Sequence, residues 1–273
     1  MASRTQELVV LGGIYRRLIG ARIRADWQYR VAFILYTLGQ AFVAVLDLAA
    51  ILVIFSQVRS LAGWSFPEVM FLYGTSGISF AIADVFTSQV ERTSFHIKQG
   101  TFDRFLLRPL GALFQLSTSE FALRRVGRLI QPLVVLAIAI PALHLHWTVV
   151  RVGVLAMTLA CGAVIFSAIW VLTSSIAFWT VESQEVANSF TYGGNYVTQY
   201  PLDVMAGWLR RLLVVLPLAF VNYIPAAWLL HRPNAVGVPT WTVALTPVAA
   251  LLVALLARSV WLTAIRHYRS TGS

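Results

Sequence analysis

The chain has 273 residues, of which 58% are hydrophobic and only 12% charged, and its mean hydropathy is +0.74. A soluble domain of this length needs a charged shell that the composition does not supply, and a disordered chain would be far less apolar, so both classes are excluded and a membrane protein is left. The net charge of +10 comes from 21 Lys+Arg against 11 Asp+Glu; the positive residues flank apolar runs, so they read as membrane-topology signals, and no nucleic-acid partner is expected.

In chain order, residues 1–30 carry Arg4, Arg16, Arg17, Arg22, Arg24 and Arg30 with no long apolar core before Val31, which is not the pattern of a cleaved signal. Over 7–28, Leu11, Ile14, Tyr15, Leu18 and Ile19 can share one face and Arg16, Arg17 and Arg24 the other. That pattern predicts a helix lying on the membrane surface, with a solvated tail as the alternative.

A helix needs about 20 apolar residues to cross a hydrocarbon core of about 30 Å. Val31–Val58 holds no Lys or Arg and one acid, Asp47; Pro67–Val90 carries Glu68 at its start and Asp84 near its end. Leu129–Val150, Val152–Val181, Leu212–Leu230 and Pro233–Ala257 hold no Lys, Arg, Asp or Glu. The runs are continuous rather than alternating, so helices are predicted and not a barrel. Val186–Met205 is ambiguous: Asn188, Gly193, Gly194, Asn195, Gln199 and Pro201 make it a loop or a polar span facing the bundle interior. If it spans, Leu212–Leu230, broken by Pro217 and Pro225, dips in and returns; both schemes give six crossings.

Asp47 near the middle of the first run costs roughly 2.5–3.5 kcal/mol on insertion scales, so it must face the bundle or water. It reads as a contact for a cationic substrate, a dimer-interface hydrogen bond, or a protonated packing residue. Asp84 lies seven residues before Glu91 and reads as solvated among headgroups. Trp64, Trp147, Trp208, Trp228 and Trp241 fall at predicted interfaces and read as anchors. The single cysteine, Cys161, excludes a disulfide framework and reads as a small buried hydrophobe.

Sixteen basic residues fall on one side, in the first 30 residues, over 91–128 and at the C-terminal end, against three to five on the other. Both termini and the long connection are therefore expected in the cytoplasm. Within that connection, Thr101 is a predicted N-cap, Phe102, Phe105 and Leu106 form an apolar stripe, and Asp103, Arg104 and Arg108 lie off it, with Pro109 as the stop. So short a helix is not stable alone and is too apolar for water; it wants either a groove on a partner or the membrane surface.

The chain has no G-x-x-x-x-G-K-[S/T] phosphate cradle, and Lys98 is its only lysine, so it is not expected to hydrolyse ATP or to bind a cofactor. An integral-membrane lipid-modifying enzyme is an alternative; it would need clustered acids, histidines or metal ligands, and Glu91, His96 and Asp103 share a loop without ligand spacing. A stand-alone secondary transporter is a third class, and no internal repeat supports it.

The stretch Gly100-Thr101-Phe102-Asp103-Arg104-Phe105-Leu106-Leu107-Arg108-Pro109-Leu110 resembles the segment between spans two and three of type-2 ABC exporter permeases. Gln199-Tyr200-Pro201-Leu202-Asp203 and Leu216-Pro217-Leu218-Ala219-Phe220-Val221-Asn222-Tyr223-Ile224-Pro225-Ala226 resemble the same family, and the likeness covers nearly the whole chain. The branch most similar is the small bacterial permeases that include viologen-exporter subunits.

The resemblance implies an all-α integral membrane protein in the bacterial inner membrane, an efflux permease for drugs or other xenobiotics. Its six spans would be 31–58, 67–90, 126–147, 152–181, 186–206 and 238–263, with an interfacial helix over 1–30 and re-entrant helices over 209–230. Residues 100–110 would be the coupling helix, with Thr101, Phe102, Asp103, Arg104, Phe105, Leu106 and Arg108 meeting a separate ATPase subunit. Two copies of that ATPase would carry ATP and magnesium beneath a permease dimer, formed with a second copy or a paralogous permease. Under the polar-span reading, Asn195, Tyr196 and Gln199 join Asp47 as candidate substrate-pathway residues.

Overall fold

The computed structural model describes residues 30–119, 127–180, 184–233 and 236–268, and these fold into helices with no strand beyond an isolated bridge between Leu61 and Trp64. The predicted surface helix over 7–28 lies outside the described residues. In chain order the helices are α1 (Arg30–Gln57), α2 (Phe66–Thr87), α3 (Thr93–Lys98), α4 (Asp103–Leu106), α5 (Ala112–Ser119), α6 (Ile130–Ala142), α7 (Val149–Ser175), α8 (Gln184–Thr198), α9 (Gly207–Val215), α10 (Tyr223–Leu229) and α11 (Thr246–Arg266).

The helix starts follow local rules. Ser65 and Glu68 form a capping box at the head of α2, with Pro67 in the first turn, where its missing N–H costs nothing. Thr148 caps α7 by accepting from the Arg151 amide. Three described helices are long and apolar enough to cross a membrane: Phe66–Lys98, Val149–Phe178 and Thr240–Arg266. At about 1.5 Å per residue α1 is also long enough.

The other two predicted spans are shorter than 126–147 and 186–206. The helix Gly127–Ala142 stops where His144 takes a left-handed backbone, and α8 ends at Thr198, ahead of Pro201. The chain then runs through α9 and the segment Leu218–Leu229, which meet at an 80° bend, each half too short to cross alone.

α2 is the hub, buried along nearly its whole length, with α6 on one side and α7 on the other, while α11 packs along α7. Small residues allow this. A Cβ added at Gly74 would stand 2.8 Å from the Leu136 Cβ and 3.0 Å from its Cα and N, and one at Gly162 would stand 2.6 Å from the Ser79 Oγ. With no hydrophobic drive between helices in lipid, such close approach supplies the contacts that hold them. Gly74→Val is therefore expected to destabilise by about 1–3 kcal/mol, because the obstacle is backbone and cannot move aside. Gly153→Ala, with nothing within 4 Å, is expected to be neutral. Thermal unfolding of the two purified variants checks the contrast.

Two cores result. The larger gathers α2, α6, α7 and the 202–230 region; the smaller sits at the Arg-rich end and joins Val90, Ile97, Phe102, Leu116, Val171 and Trp261. Outside them α11 exposes Leu251, Leu252, Leu255, Leu256 and Leu262, and α1 exposes Val31, Leu35 and Phe42. So much exposed apolar surface on long helices is what lipid-facing helices present.

Candidate functional site

A polar seam runs through the larger core between α2, α8 and the segment after the bend. The Ser76 and Thr198 hydroxyls lie 2.6 Å apart, and Ser76 donates weakly to the Asn195 Oδ1 at 3.4 Å. Asn222, fully buried, donates through its Nδ2 to the Leu72 carbonyl at 2.9 Å and the Thr198 carbonyl at 2.8 Å, while its Oδ1 has no partner. One side chain thus ties the middle of α2 to the end of α8, inside a core where an unmet carbonyl is costly.

The residues expected along a substrate path separate here. Asn195 is half-buried at the seam and Gln199 is buried, but Tyr196 is 57% exposed and turns away. Asp47 lies on α1, and its side chain lies outside the described residues.

The end opposite the Arg-rich one carries a second network. Asp203 accepts from the Trp64 Nε1 at 2.8 Å and from the Tyr223 hydroxyl at 2.7 Å through the same oxygen, and Arg210 bonds the Met205 carbonyl at 2.8 Å. Glu68 accepts two bonds of 2.7 Å from Arg232 and two more from Ser65, which fixes the loop at 232 against the head of α2. Bonding to Glu68 raises the Arg232 pKa above its ordinary value.

Trp64 is thus a core residue, 2% exposed, and not an interfacial anchor, whereas Trp208 and Trp241 are exposed. Sequence reading missed this network because its partners lie up to 164 residues apart. The available signals were the Ser65-x-x-Glu68 box and the position of Asp203 within Gln199–Asp203. Asp203→Asn removes the charge that accepts both bonds and is expected to cost about 1–3 kcal/mol; Trp64→Phe, which loses one bond, should cost less. Thermal unfolding of both variants reads the order.

At the Arg-rich end Asp84 is fully buried and paired with Arg128 at 2.9 Å, which corrects its reading as a solvated headgroup residue. Trp170 donates to Glu91 at 3.4 Å, so the ends of α2, α6 and α7 meet around these charges. Below them α3 ends in a Schellman turn: the Thr101 amide bonds the His96 carbonyl at 2.9 Å, the Gly100 amide bonds the Ile97 carbonyl at 3.1 Å, and Gly100 takes φ +62.

That turn aims the next segment, which differs from the prediction in three ways. The helix is a single turn, Asp103–Leu106. Thr101 caps nothing; its hydroxyl faces the His96 ring at 2.9 Å. The apolar stripe is split. Phe102 is fully buried in its own chain, with ring centroids 5.1 Å from Phe178 and 5.0 Å from Tyr268, and Phe105 is half-buried beside His96. Leu106, Leu107, Arg104 and Arg108 face outward, with Leu107 85% exposed. Gln115 of α5 holds the far end by donating to the Phe105 and Leu110 carbonyls. Asp103 is half-buried.

Among the described residues no three His, Cys, Asp or Glu side chains converge as a metal set. The arrangement is a helical bundle with one buried polar seam and a rigidly mounted, outward-facing turn beneath it.

The family model described as ABC-2 family transporter protein matches residues 41–272. No curated protein and no solved structure matches the chain.

Proposed function

The chain belongs to the ABC-2 transporter family, and from that premise we propose that it forms half of an exporter's translocation path and is driven by a separate ATPase that docks on the outward-facing turn around Leu106 and Leu107. It is a type-2 ABC transporter permease and a multi-pass membrane protein. The observation that carries the docking assignment is the mounting of the turn: Phe102 and the Gly100 turn fix it to the bundle, while Leu106, Leu107, Arg104 and Arg108 are left for a partner. Exposed leucines flanked by arginines suit a cleft with apolar floor and acidic rim.

On this reading the chain carries no phosphate cradle, so ATP and magnesium belong to the partner. Two ATPase copies sit under a permease dimer, built from two copies of this chain or from this chain and a paralogue. Both termini and the Arg-rich end lie in the cytoplasm of a bacterial inner membrane, and the broken segments over 209–230 are re-entrant, with 186–206 as the polar crossing. When the ATPases close, the mounted turn moves as a rigid body and passes the motion through α3, α4 and α5 to the ends of α7 and α11. Asp47, Asn195 and Gln199 are the candidate contacts of the path, and small cationic xenobiotics its substrate class, as in the viologen-exporter branch.

Affinity purification of the tagged full-length chain from its own membranes tests the assignment. An ATP-binding-cassette protein is expected with the wild type and at least tenfold less of it with Arg104→Glu/Leu107→Asp at equal membrane level. Equal recovery with the double variant overturns the docking surface, and absence of any such protein from the wild-type sample overturns the function.

A further inference from the structure

Beside the bundle, at its Arg-rich half, lies an open groove of about 760 Å³ between α2, α5, α7 and α11, within the range of small-molecule sites. Its walls are polarised. Along α7 it is lined from Ala156 to Val171, fifteen steps or about 22 Å of helix, against about 15 Å for one leaflet's hydrocarbon. The end near Ala156 and Leu159 is apolar. Hydroxyls gather at the other end, where α2 stops: Thr87, Ser167 and Ser117, with Arg258 of α11.

Two features of that end point to a ligand. Thr87 donates to the Ser167 oxygen at 2.9 Å, which leaves the Ser167 proton directed elsewhere. The hydroxyls of Thr118 and Ser119 bond back to α5 carbonyls, whereas the Ser117 hydroxyl makes no bond to any described residue. Arg258 is exposed eight residues before the end of α11, or about 12 Å into the helix, and among the described residues no acidic side chain pairs with it. An arginine there either snorkels its head toward the interface or meets an anion, and at either depth its guanidinium is available to a phosphate.

We infer that the groove binds one anionic phospholipid, an acyl chain lying along α7 and the phosphate held by Arg258 with the Ser117 and Ser167 hydroxyls. Charge complementarity selects this occupant: one cation and three hydroxyls at one end of an apolar channel of leaflet length match a single-headed anionic amphiphile. That the leaflet is the cytoplasmic one rests on the orientation proposed above; the binding itself does not.

The test is native mass spectrometry of the purified full-length chain, titrated with phosphatidylglycerol and, separately, phosphatidylcholine. One phosphatidylglycerol per chain is expected at concentrations where phosphatidylcholine does not bind. Arg258→Gln should weaken it about tenfold, which is about 1.4 kcal/mol; Arg258→Lys should restore most of it; Ala160→Phe, which fills the apolar half, should abolish it; Arg266→Gln should change nothing. Glycerol 3-phosphate, a headgroup without chains, should not compete. Wild-type binding by Arg258→Gln, equal binding of the two lipids, or displacement by glycerol 3-phosphate each overturns the site. No ATPase is present, so a failed exporter assignment leaves this result standing, and the reverse.

Discussion

Phe102→Ala is expected to cost about 3–5 kcal/mol and to loosen the Arg-rich end while leaving the chain in the membrane. The ring is fully buried and packs against Phe178, Tyr268 and Phe105, and through Phe178 it reaches Trp261. Truncation leaves a cavity among large rings carried by three separate segments, and rings on separate segments collapse poorly into a void. Leu107→Asp, at an 85% exposed position two residues past the Phe105 contact, should leave stability unchanged. The two variants separate mounting from docking. Thermal unfolding and limited proteolysis of the full-length chain read the first, and ATPase recovery reads the second. A wild-type melting curve for Phe102→Ala would show that the aromatic cluster does not hold the turn.

Arg128→Leu is the second large effect. It removes the Arg128 charge that faces the buried Asp84, a loss of about 3–5 kcal/mol for a pair broken on one side. The buried partner decides the size: Asp84 is fully enclosed, whereas the Arg128 side chain is 29% exposed. The Asp84→Leu/Arg128→Leu double variant removes the charge together with its counter-charge, so it should be more stable than Arg128→Leu alone. That ordering distinguishes a desolvated pair from a loose surface contact, for which both variants would sit near the wild type. Unfolding curves of the three proteins measure it.

How much of this the sequence carries depends on the range of each interaction. Long apolar runs predict helices because a bilayer imposes that local condition on every residue, and α2, α7 and α11 follow. The ends of α6 and α8 are misjudged by several residues, since hydropathy continues past the turns that stop the helices. The segment at 100–110 reads as amphipathic in the sequence, but a single turn cannot say whose surface it faces, and its stripe is split between the chain's own core and the outside. Phe102 turns inward because Phe178 and Tyr268, remote in sequence, are waiting for it. Asp84 is misread for the same reason, its partner lying 44 residues away. Asp203 and Asn222 stand inside the stretches that carry the family resemblance, yet their partners at Trp64 and Leu72 appear only in the folded chain.

The double bond made by Asn222 restricts how this molecule can work. Its amide grips two carbonyls on different helices, so α8 cannot slide a turn along α2 without breaking both bonds and leaving the Asn222 amide unmet in the core. These elements form one kinematic unit, like a hinge leaf pinned in the middle. On the exporter function proposed above, alternation between conformers falls at the boundary of that leaf, where it meets α1 or a second permease, with the leaf itself swinging whole.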